Sequence, residues 1–379
     1  MRKLQNPFLT KGYISKKYFC DREDELKELS RNMENGLDTT LISPRRMGKT
    51  GLIFRFFEYI HDEKMGFKTI YIDIFATRSL DDFVRQLAEA ILKNYPERTS
   101  FGKRFMNFLK GLRPIITYDP ISGEPQIQIS YRTVEEKEYT INGLLQFLDK
   151  QKLQILIAID EFQQITEYPE KNIEALLRTC IQRLKNIRFI FCGSNHSMML
   201  DIFSNAKRPF FGSTHYLFLE KIQYKQYAKF IQKQFYAHNM KIDADAIEFI
   251  LNWTFCHTFY TQSLCNIVFS LGIKNIMIDE VKTACLQILK QNEPVFLQYR
   301  QLLTPAQWNF LIALAKEEKA KHLTAQNFIA KYQIGTPANA RRIANSLIGK
   351  DLIFTTSGKK ETFYQVYDVF LLRWLQSTY

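Results

Sequence analysis

Thr39-Thr40-Leu41-Ile42-Ser43-Pro44-Arg45-Arg46-Met47-Gly48-Lys49-Thr50-Gly51-Leu52-Ile53 is the stretch on which the reading of this chain turns. Thr40 to Ile42 reads as a short apolar strand, Ser43 to Thr50 as a loop of phosphate size, and the residues beyond as a helix through Phe56, Phe57 and Ile60. In a strand, loop and helix of this kind, backbone N–H groups at the loop and the helix N-terminus face an anion. A lysine then reaches the terminal phosphates, and a threonine hydroxyl holds magnesium. Gly48, Lys49 and Thr50 fit the glycine, lysine and hydroxyl positions. The pattern G-x-x-x-x-G-K-[ST] asks for glycine five residues before Gly48, where this chain has Ser43. The plain alternative is an ordinary strand-to-helix turn, although basic residues at a helix start oppose its dipole unless an anion is present.

The 379 residues suffice for two or three domains. At 46% apolar and 24% charged, the composition is that of an ordinary globular protein. No apolar run approaches the roughly 20 residues of a membrane span, and Met1 to Pro7 is too polar to begin a secretory signal, so the expectation is a cytoplasmic protein with no membrane partner. The six cysteines are scattered without a C-x-x-C pair, which suggests small core residues rather than a zinc site or a disulfide framework. The net charge of +13 suits polyanionic partners and equally suits solubility.

Outward from the loop, Phe19 to Leu26 opens a helix with an acidic first turn and with Leu26, Leu29 and Met33 at helical spacing. Lys68 to Ile74 alternates as a second strand, and a helix runs from Ser79 to about Asn94. The rhythm then breaks at residues 101–131. The basic aromatic segment from Phe101 to Arg113 reads as an amphipathic helix on the core, the alternative being a single-strand nucleic-acid platform. Ile115 to Tyr118 and Gln126 to Tyr131 read as an inserted hairpin, followed by a helix from Tyr139 to Lys150.

Gln154-Ile155-Leu156-Ile157-Ala158-Ile159-Asp160-Glu161 is a strand buried on both faces with two carboxylates at its carboxyl end, where open α/β sheets bind ligands. Beside a triphosphate, Asp160 would hold the magnesium and Glu161 would accept a proton from the attacking water; alone, the pair could be a helix cap. The next buried strand, Arg188 to Gly193, ends in Ser194 and Asn195. Either residue could sense the terminal phosphate or orient water, or could cap the helix from Ser197 to Phe203. Tyr216 to Leu219 makes a fifth strand.

Beyond it the pattern is of helices only: Tyr224 to His238, Asp243 to Phe255, Phe259 to Leu271 and Ile278 to about Gln291. In the last 79 residues, three short helices (Pro305 to Glu317, Thr324 to Tyr332, Pro337 to Gly349) and a hairpin around Ser357-Gly358-Lys359-Lys360 follow a winged-helix plan. Thr336 and Pro337 start the third helix, with Ile343 and Leu347 facing the core and Asn339, Arg342 and Ser346 outward. This stretch has ten Lys or Arg against five Asp or Glu, a net +5.

Phe19-Cys20-Asp21-Arg22-Glu23-Asp24-Glu25-Leu26, ISPRRMGKT (42–50), ILIAIDEFQ (155–163) and FIFCGSN (189–195) resemble, in this order, the AAA+ P-loop ATPases. The likeness is to the prokaryotic group near the STAND branch and the origin-recognition ATPases. It implies an α/β P-loop NTPase core with a parallel five-stranded sheet at 1–220, an all-α lid at 221–295 and a winged helix at 296–379. It implies ATP and Mg2+ as ligands, with Phe19 and Arg22 on the adenine side. Ser43, Pro44, Arg45, Arg46, Met47, Gly48, Lys49, Thr50 and Gly51 would surround the phosphates. Thr50 and Asp160 would hold the metal, and Lys49, Glu161 and Asn195 would serve hydrolysis. The chain departs from the pattern at Ser43, at Pro209 to Ser213, where relatives carry Gly-Arg and only Arg208 is a candidate trans-acting arginine, and at Cys256-His257-Thr258, where relatives read Gly-His-Pro. The arginine that many relatives carry on the lid has no clear counterpart.

The expectation is therefore a nucleotide switch with slow ATP hydrolysis, able to form homo-oligomers. Its winged helix would act on duplex DNA through Asn339, Arg342, Lys359 and Lys360, or on a protein partner. The alternatives are a DNA-binding or scaffold protein in which nucleotide is mainly a structural ligand.

Overall fold

A chain that alternates doubly buried strands with helical runs folds as a parallel sheet with crossover helices. The computed structural model, which describes residues 6–111, 114–118, 125–129, 134–151, 153–357 and 362–379, has that architecture. It divides into two compact units, Lys11–Ile222 and the described part of Met1–Thr10 together with Gln223–Tyr379.

In the first unit the elements are α1 (Glu23–Glu34), β1 (Thr39–Ile42), α2 (Lys49–Asp62), β2 (Phe67–Asp73), α3 (Leu80–Asn94), α4 (Ser100–Lys110), β3 (Pro114–Tyr118), β4 (Pro125–Ile129), α5 (Val134–Asp149), β5 (Gln154–Asp160), α6 (Ile173–Ile181), β6 (Ile187–Gly193), α7 (His196–Ser204) and β7 (His215–Phe218). Five strands form one parallel sheet in the order β2-β5-β6-β1-β7. Successive side chains of a strand point to opposite faces, and β5 shows the consequence. Leu156 and Ala158 join the core under α1 and α2, with Leu41, Phe56, Ile190 and Cys192. Ile155, Ile157 and Ile159 join the larger core of the opposite face, with Leu87, Ile91, Leu144, Phe189 and Phe191. Asp160 is the next residue in the Leu156–Ala158 row, so its carboxylate emerges on the α2 face.

The inserted segment is structural. Phe101, Phe105, Met106 and Leu109 of α4 are buried in the larger core, and Phe105 and Phe108 pack on Phe147 at 5.5 and 4.8 Å. Those aromatics are spent on packing rather than offered as a stacking platform. β3 and β4 form the expected antiparallel pair, docked on α3 where Ile127 N–H donates to Glu89 Oε1 at 2.9 Å. The intervening residues 119–124 lie outside the described residues.

The second unit contains α8 (Tyr224–Tyr236), β8 (Lys241–Ile242), α9 (Ala244–Trp253), α10 (Thr258–Ser270), β9 (Asn275–Ile276), α11 (Ile278–Leu302), α12 (Pro305–Glu317), α13 (Gln326–Tyr332), α14 (Pro337–Gly349), β10 (Ile353–Ser357), β11 (Thr362–Val366) and α15 (Val369–Thr378). Phe8 from the start of the chain is buried here against Phe230, Phe235 and Phe269. Three features differ from expectation. β8 and β9 form a two-residue parallel pair within the helical region. α11 continues past Gln291 and across Pro294 to Leu302, although proline removes a helical hydrogen bond. α15, absent from the sequence reading, is buried at Val369, Phe370, Leu371, Leu372, Trp374 and Leu375. Its Phe370 ring lies 4.8 Å from Tyr260 and 5.8 Å from Trp253, and Arg373 donates to the main-chain oxygens of Trp253 (3.0 Å) and Asn252 (3.3 Å). The last helix thus ties the three-helix-and-hairpin region to α9 and α10 within one unit.

Candidate phosphate-binding site

β1 is flanked by β6 and β7, and its chain leaves the sheet at Ile42 into the 43–48 loop. Two loop residues adopt left-handed backbone, Arg46 at φ 62° and Gly48 at φ 96°. Conformations of this sort turn successive N–H groups toward one side and make anion-binding concavities. α2 starts directly at Lys49 with no acidic residue in its first turn, so nothing in that turn offsets the positive end of the helix.

Lys49 is only 7% exposed. Its Nζ donates to Ser43 O, Ser43 Oγ and Pro44 O, each at 3.3 Å, and no carboxylate of the described residues lies within ion-pair distance. Burial pushes the ammonium pKa below its ordinary value, against the weaker pull of Cys192, Asp160 and Glu161. Ser43, the departure from the glycine pattern, is buried and turns its hydroxyl onto Pro44 O at 2.9 Å. Met47 is buried, Pro44 half-buried, and Arg45 and Arg46 exposed. A full charge buried among neutral dipoles is costly unless an opposite charge joins it.

At the end of β5, Asp160 is 4% exposed and both carboxylate oxygens are occupied. Oδ2 accepts from Thr50 Oγ1 (2.8 Å) and Tyr71 OH (2.9 Å); Oδ1 accepts from Glu161 N (3.0 Å) and Cys192 Sγ (3.1 Å). Burial and the Asp160 carboxylate drive the Tyr71 phenol and the Cys192 thiol well above their ordinary pKa, so both remain donors. Asp73, which pairs with Asp160 across the strands, is also raised, first by burial and secondarily by Asp160 and Glu161, while the Phe75 N–H opposes the rise.

Glu161 breaks the strand at φ 57°. Its Oε2 accepts from Gln163 Nε2 (2.6 Å), Ser194 Oγ (2.7 Å) and Ser194 N (3.2 Å). Gly193 permits this, since a Cβ there would fall 2.1 Å from Gln163 Oε1 and 2.7 Å from Met199 Sδ. Asn195 caps α7, accepting from Met198 N at 3.1 Å. Of the two polar residues at this strand end, Ser194 therefore meets the acidic pair and Asn195 holds the helix.

Phe19 lies against the start of α2, its ring edge 3.3 Å from where a Gly51 Cβ would stand. Arg22 is 4% exposed in left-handed backbone; Nη1 donates to Glu25 at 2.7 Å, and Nη2 is buried with no hydrogen-bond partner among the described residues. Arg208 is held by Glu174 (3.0 Å) and Asp201 (3.3 Å) within its own unit. In the second unit His257 occupies the N-cap position of α10 without a side-chain cap bond, its ring 4.7 Å from Tyr260. On α14, Thr336 caps Asn339 N at 3.2 Å, and Ile343 and Leu347 are buried as expected. Arg342 is exposed and donates to Asn339 Oδ1 at 3.0 Å, Asn339 donates to Ile334 O at 2.9 Å, and Ser346 accepts from Gln307 at 2.9 Å. Lys359 and Lys360 lie outside the described residues.

Parallel β strands in this order, with a basic loop into a helix after β1 and an acidic pair at the end of β5, one strand further along the sheet beyond β6, define a P-loop ATPase fold. Residues 19–256 match the family described as an ATPase domain predominantly from Archaea, and the chain belongs to that family. Residues 294–377 match a probable winged helix domain. The structure is similar to the Walker-type ATPase of Pyrococcus abyssi (17% identity, TM-score 0.66, 98% of this chain and 99% of that one). It is similar also to the ORC2 protein of Aeropyrum pernix, in its ADPNP–ADP complexes (14%, 0.60, 98% and 96%) and in its ADP form (12%, 0.55, 98% and 97%). At these identities the likeness is one of fold. No curated protein matches the chain. No helix among the described residues is long and apolar enough to cross a membrane.

Proposed function

We propose that this ATPase binds ATP with Mg2+, hydrolyses it slowly, and uses the bound nucleotide to reposition its winged helix toward duplex DNA or a protein partner. The observation that carries the reading is Lys49, a buried ammonium whose hydrogen-bond partners are all neutral oxygens, with Asp160 and Glu161 acting on it only from beyond ion-pair distance. A nucleotide's phosphates supply the missing charge, and the buried, unpartnered Nη2 of Arg22 near Phe19 suits a base or sugar acceptor. Magnesium is commonly held by one or two protein oxygens plus substrate phosphates. The Thr50 hydroxyl and Asp160 carboxylate, 2.8 Å apart, form such a donor set. No group of three or more His, Cys, Asp or Glu among the described residues offers a metal site of another kind. When bound, the cation would neutralise charge on the phosphates.

In this reading Lys49 binds the terminal phosphates, Glu161 takes the proton of the attacking water, and Ser194, rather than the Asn195 expected from sequence, reports the terminal phosphate to Glu161. Slow turnover follows from the three hydrogen bonds that hold Glu161 Oε2, since the carboxylate must give some of them up to act on water. Replacing Glu161 by Gln should leave ATP affinity within a few-fold of the parent and lower phosphate release by about 10²–10⁴-fold. Equal turnover by parent and variant would make the acidic pair structural and favour nucleotide as a structural ligand. Measuring release per chain at several protein concentrations also exposes any dependence on homo-oligomers.

The output side rests on the second unit. α11 is continuous into the winged-helix region and α15 packs back on α9 and α10, which supports the lid and winged helix responding to nucleotide as one body. Arg342 and Asn339 on α14 would reach base edges, with Lys359 and Lys360 over phosphates. Changing both lysines to alanine should flatten the plot of log affinity for duplex DNA against log salt by up to about 2 units. A folded protein with no salt-sensitive DNA binding, with or without ATP, would point to a protein partner.

A further inference from the structure

Asp160 takes hydrogen bonds from three side chains that belong to three different elements. Thr50 comes from α2, Tyr71 from β2 and Cys192 from β6, and β2 and β6 are the strands on either side of β5. The register places them. Asp73 pairs with Asp160, so Tyr71, two residues earlier, stands on the same face of the sheet and reaches diagonally to Oδ2. Phe191 pairs with Ile159, so Cys192, the residue after it, stands beside Asp160 and donates to Oδ1. The Tyr71 ring lies 4.8 Å from Phe54, one turn along α2 from Thr50, which fixes the approach of the phenol. Each carboxylate oxygen therefore has one donor from a flanking strand and one from the loop helix or its own main chain.

Of the three side chains, only Thr50 is a donor whose surroundings change when nucleotide and cation arrive. Tyr71 lies outside the stretches that bear the ATPase pattern, and Cys192 lies inside one of them, residues 189–195, with no role assigned to it there; one is a half-buried strand aromatic and the other a fully buried small residue. We propose that Tyr71 and Cys192 are positioning residues that hold the Asp160 carboxylate in the orientation needed to share a divalent cation with Thr50, and keep it there while Thr50 is engaged by that cation. The proposal rests on the nucleotide and magnesium reading above. Hydrogen-bond partners behind a metal ligand commonly carry 10- to 100-fold in metal affinity, and here the whole of that support comes from two residues and one main-chain N–H.

The test is calorimetric binding of the non-hydrolysable analogue AMPPNP to the full chain, across a series of Mg2+ concentrations and in EDTA. It compares the parent with Tyr71→Phe, Cys192→Ala and Cys192→Ser. Tyr71→Phe keeps the ring on Phe54 and removes only the donor. Tyr71→Phe and Cys192→Ala should each raise the Mg2+ concentration for half-maximal tightening by about 10-fold, with affinity in EDTA within two-fold of the parent. Cys192→Ser retains a donor and should stay close to the parent. Affinities that fall in parallel with and without Mg2+, or an unchanged Mg2+ requirement, would overturn the proposal while leaving the nucleotide reading intact. A parent that binds no AMPPNP would overturn both. Should Cys192→Ala fail to fold, Tyr71→Phe decides the matter alone.

Discussion

A charged group precedes β1 and another follows the loop that leaves it, and the two are accommodated differently. Just before the strand, the half-buried Asp38 accepts the Phe189 N–H at 2.8 Å, and Arg188 and Arg178 draw it toward its ionised form, although burial still pushes its pKa up to about 6. Beyond the strand and its loop, at the first residue of α2, Lys49 donates only to two carbonyls and a hydroxyl at 3.3 Å. Where the chain supplies opposite charge and a full-strength hydrogen bond, the charged group belongs to the fold. Where it hydrogen-bonds a buried charge to neutral dipoles alone, as at Lys49, we propose that the charge is left for a ligand. On that proposal the same sheet carries a structural end and a functional end, and the polarity of its parallel strands decides which is which, because the loops that open onto helix N-termini lie at the carboxyl end.

This contrast can be broken most strongly at the structural end. Asp38→Ala removes the acceptor of Phe189 N–H, and an unsatisfied buried donor costs about 1–3 kcal/mol. The urea midpoint at pH 5 should fall accordingly, with AMPPNP affinity unchanged. A loss of affinity beyond a few-fold would show that the two ends are not separable. A smaller effect sharpens the contrast by pH. The Asp38 pKa is raised from an ordinary value near 3.8 to about 6 in the folded state, so the native protein holds the proton more tightly than the unfolded chain. That contribution is fully present below about pH 4 and is lost as pH rises through about 6. For a half-buried group the loss should be about 1–2 kcal/mol. In Asp38→Asn the change in stability between pH 4 and pH 7 should shrink by that amount, as read from urea unfolding at the two pH values. An unchanged pH dependence would remove Asp38 as its source.

How much of this was legible in the sequence follows from the same physics. The strand, loop and helix at residues 39–62 could be read because the phosphate loop has a local signature, and β5 because a run of five apolar residues, three of them β-branched isoleucines, is too short for a buried helix and suits a doubly buried strand. Thr50 and Asp160 lie 110 positions apart, yet the sequence pairs them, because Thr50 closes the phosphate-loop signature and Asp160 stands at a recognisable strand end. Tyr71 and Cys192 were not, since a hydrogen bond across parallel strands depends on register, which residue types do not encode. The choice between Ser194 and Asn195 depended on a single residue of strand length before α7 began. α15 was missed because a helix buried on most sides loses the amphipathic period; Asp368, whose Oδ1 accepts from Phe370 N (2.8 Å) and Leu371 N (3.1 Å), was the available signal. α11 was stopped too early at the approach to Pro294, where Phe296 is buried on the far side and packs 5.6 Å from Trp374.

The central claim, that Lys49 is a buried charge left for a ligand, is tested most directly by thermal unfolding of the parent and Lys49→Met, each with and without AMPPNP and Mg2+. Methionine keeps the stem and removes the ammonium. Without nucleotide the variant should melt a few degrees above the parent, because an uncompensated buried charge has gone. With nucleotide at 100 times its Kd the parent should gain about 2.7 kcal/mol and the variant nothing. A variant that melts below the parent without nucleotide, and is still stabilised by AMPPNP, would contradict the account.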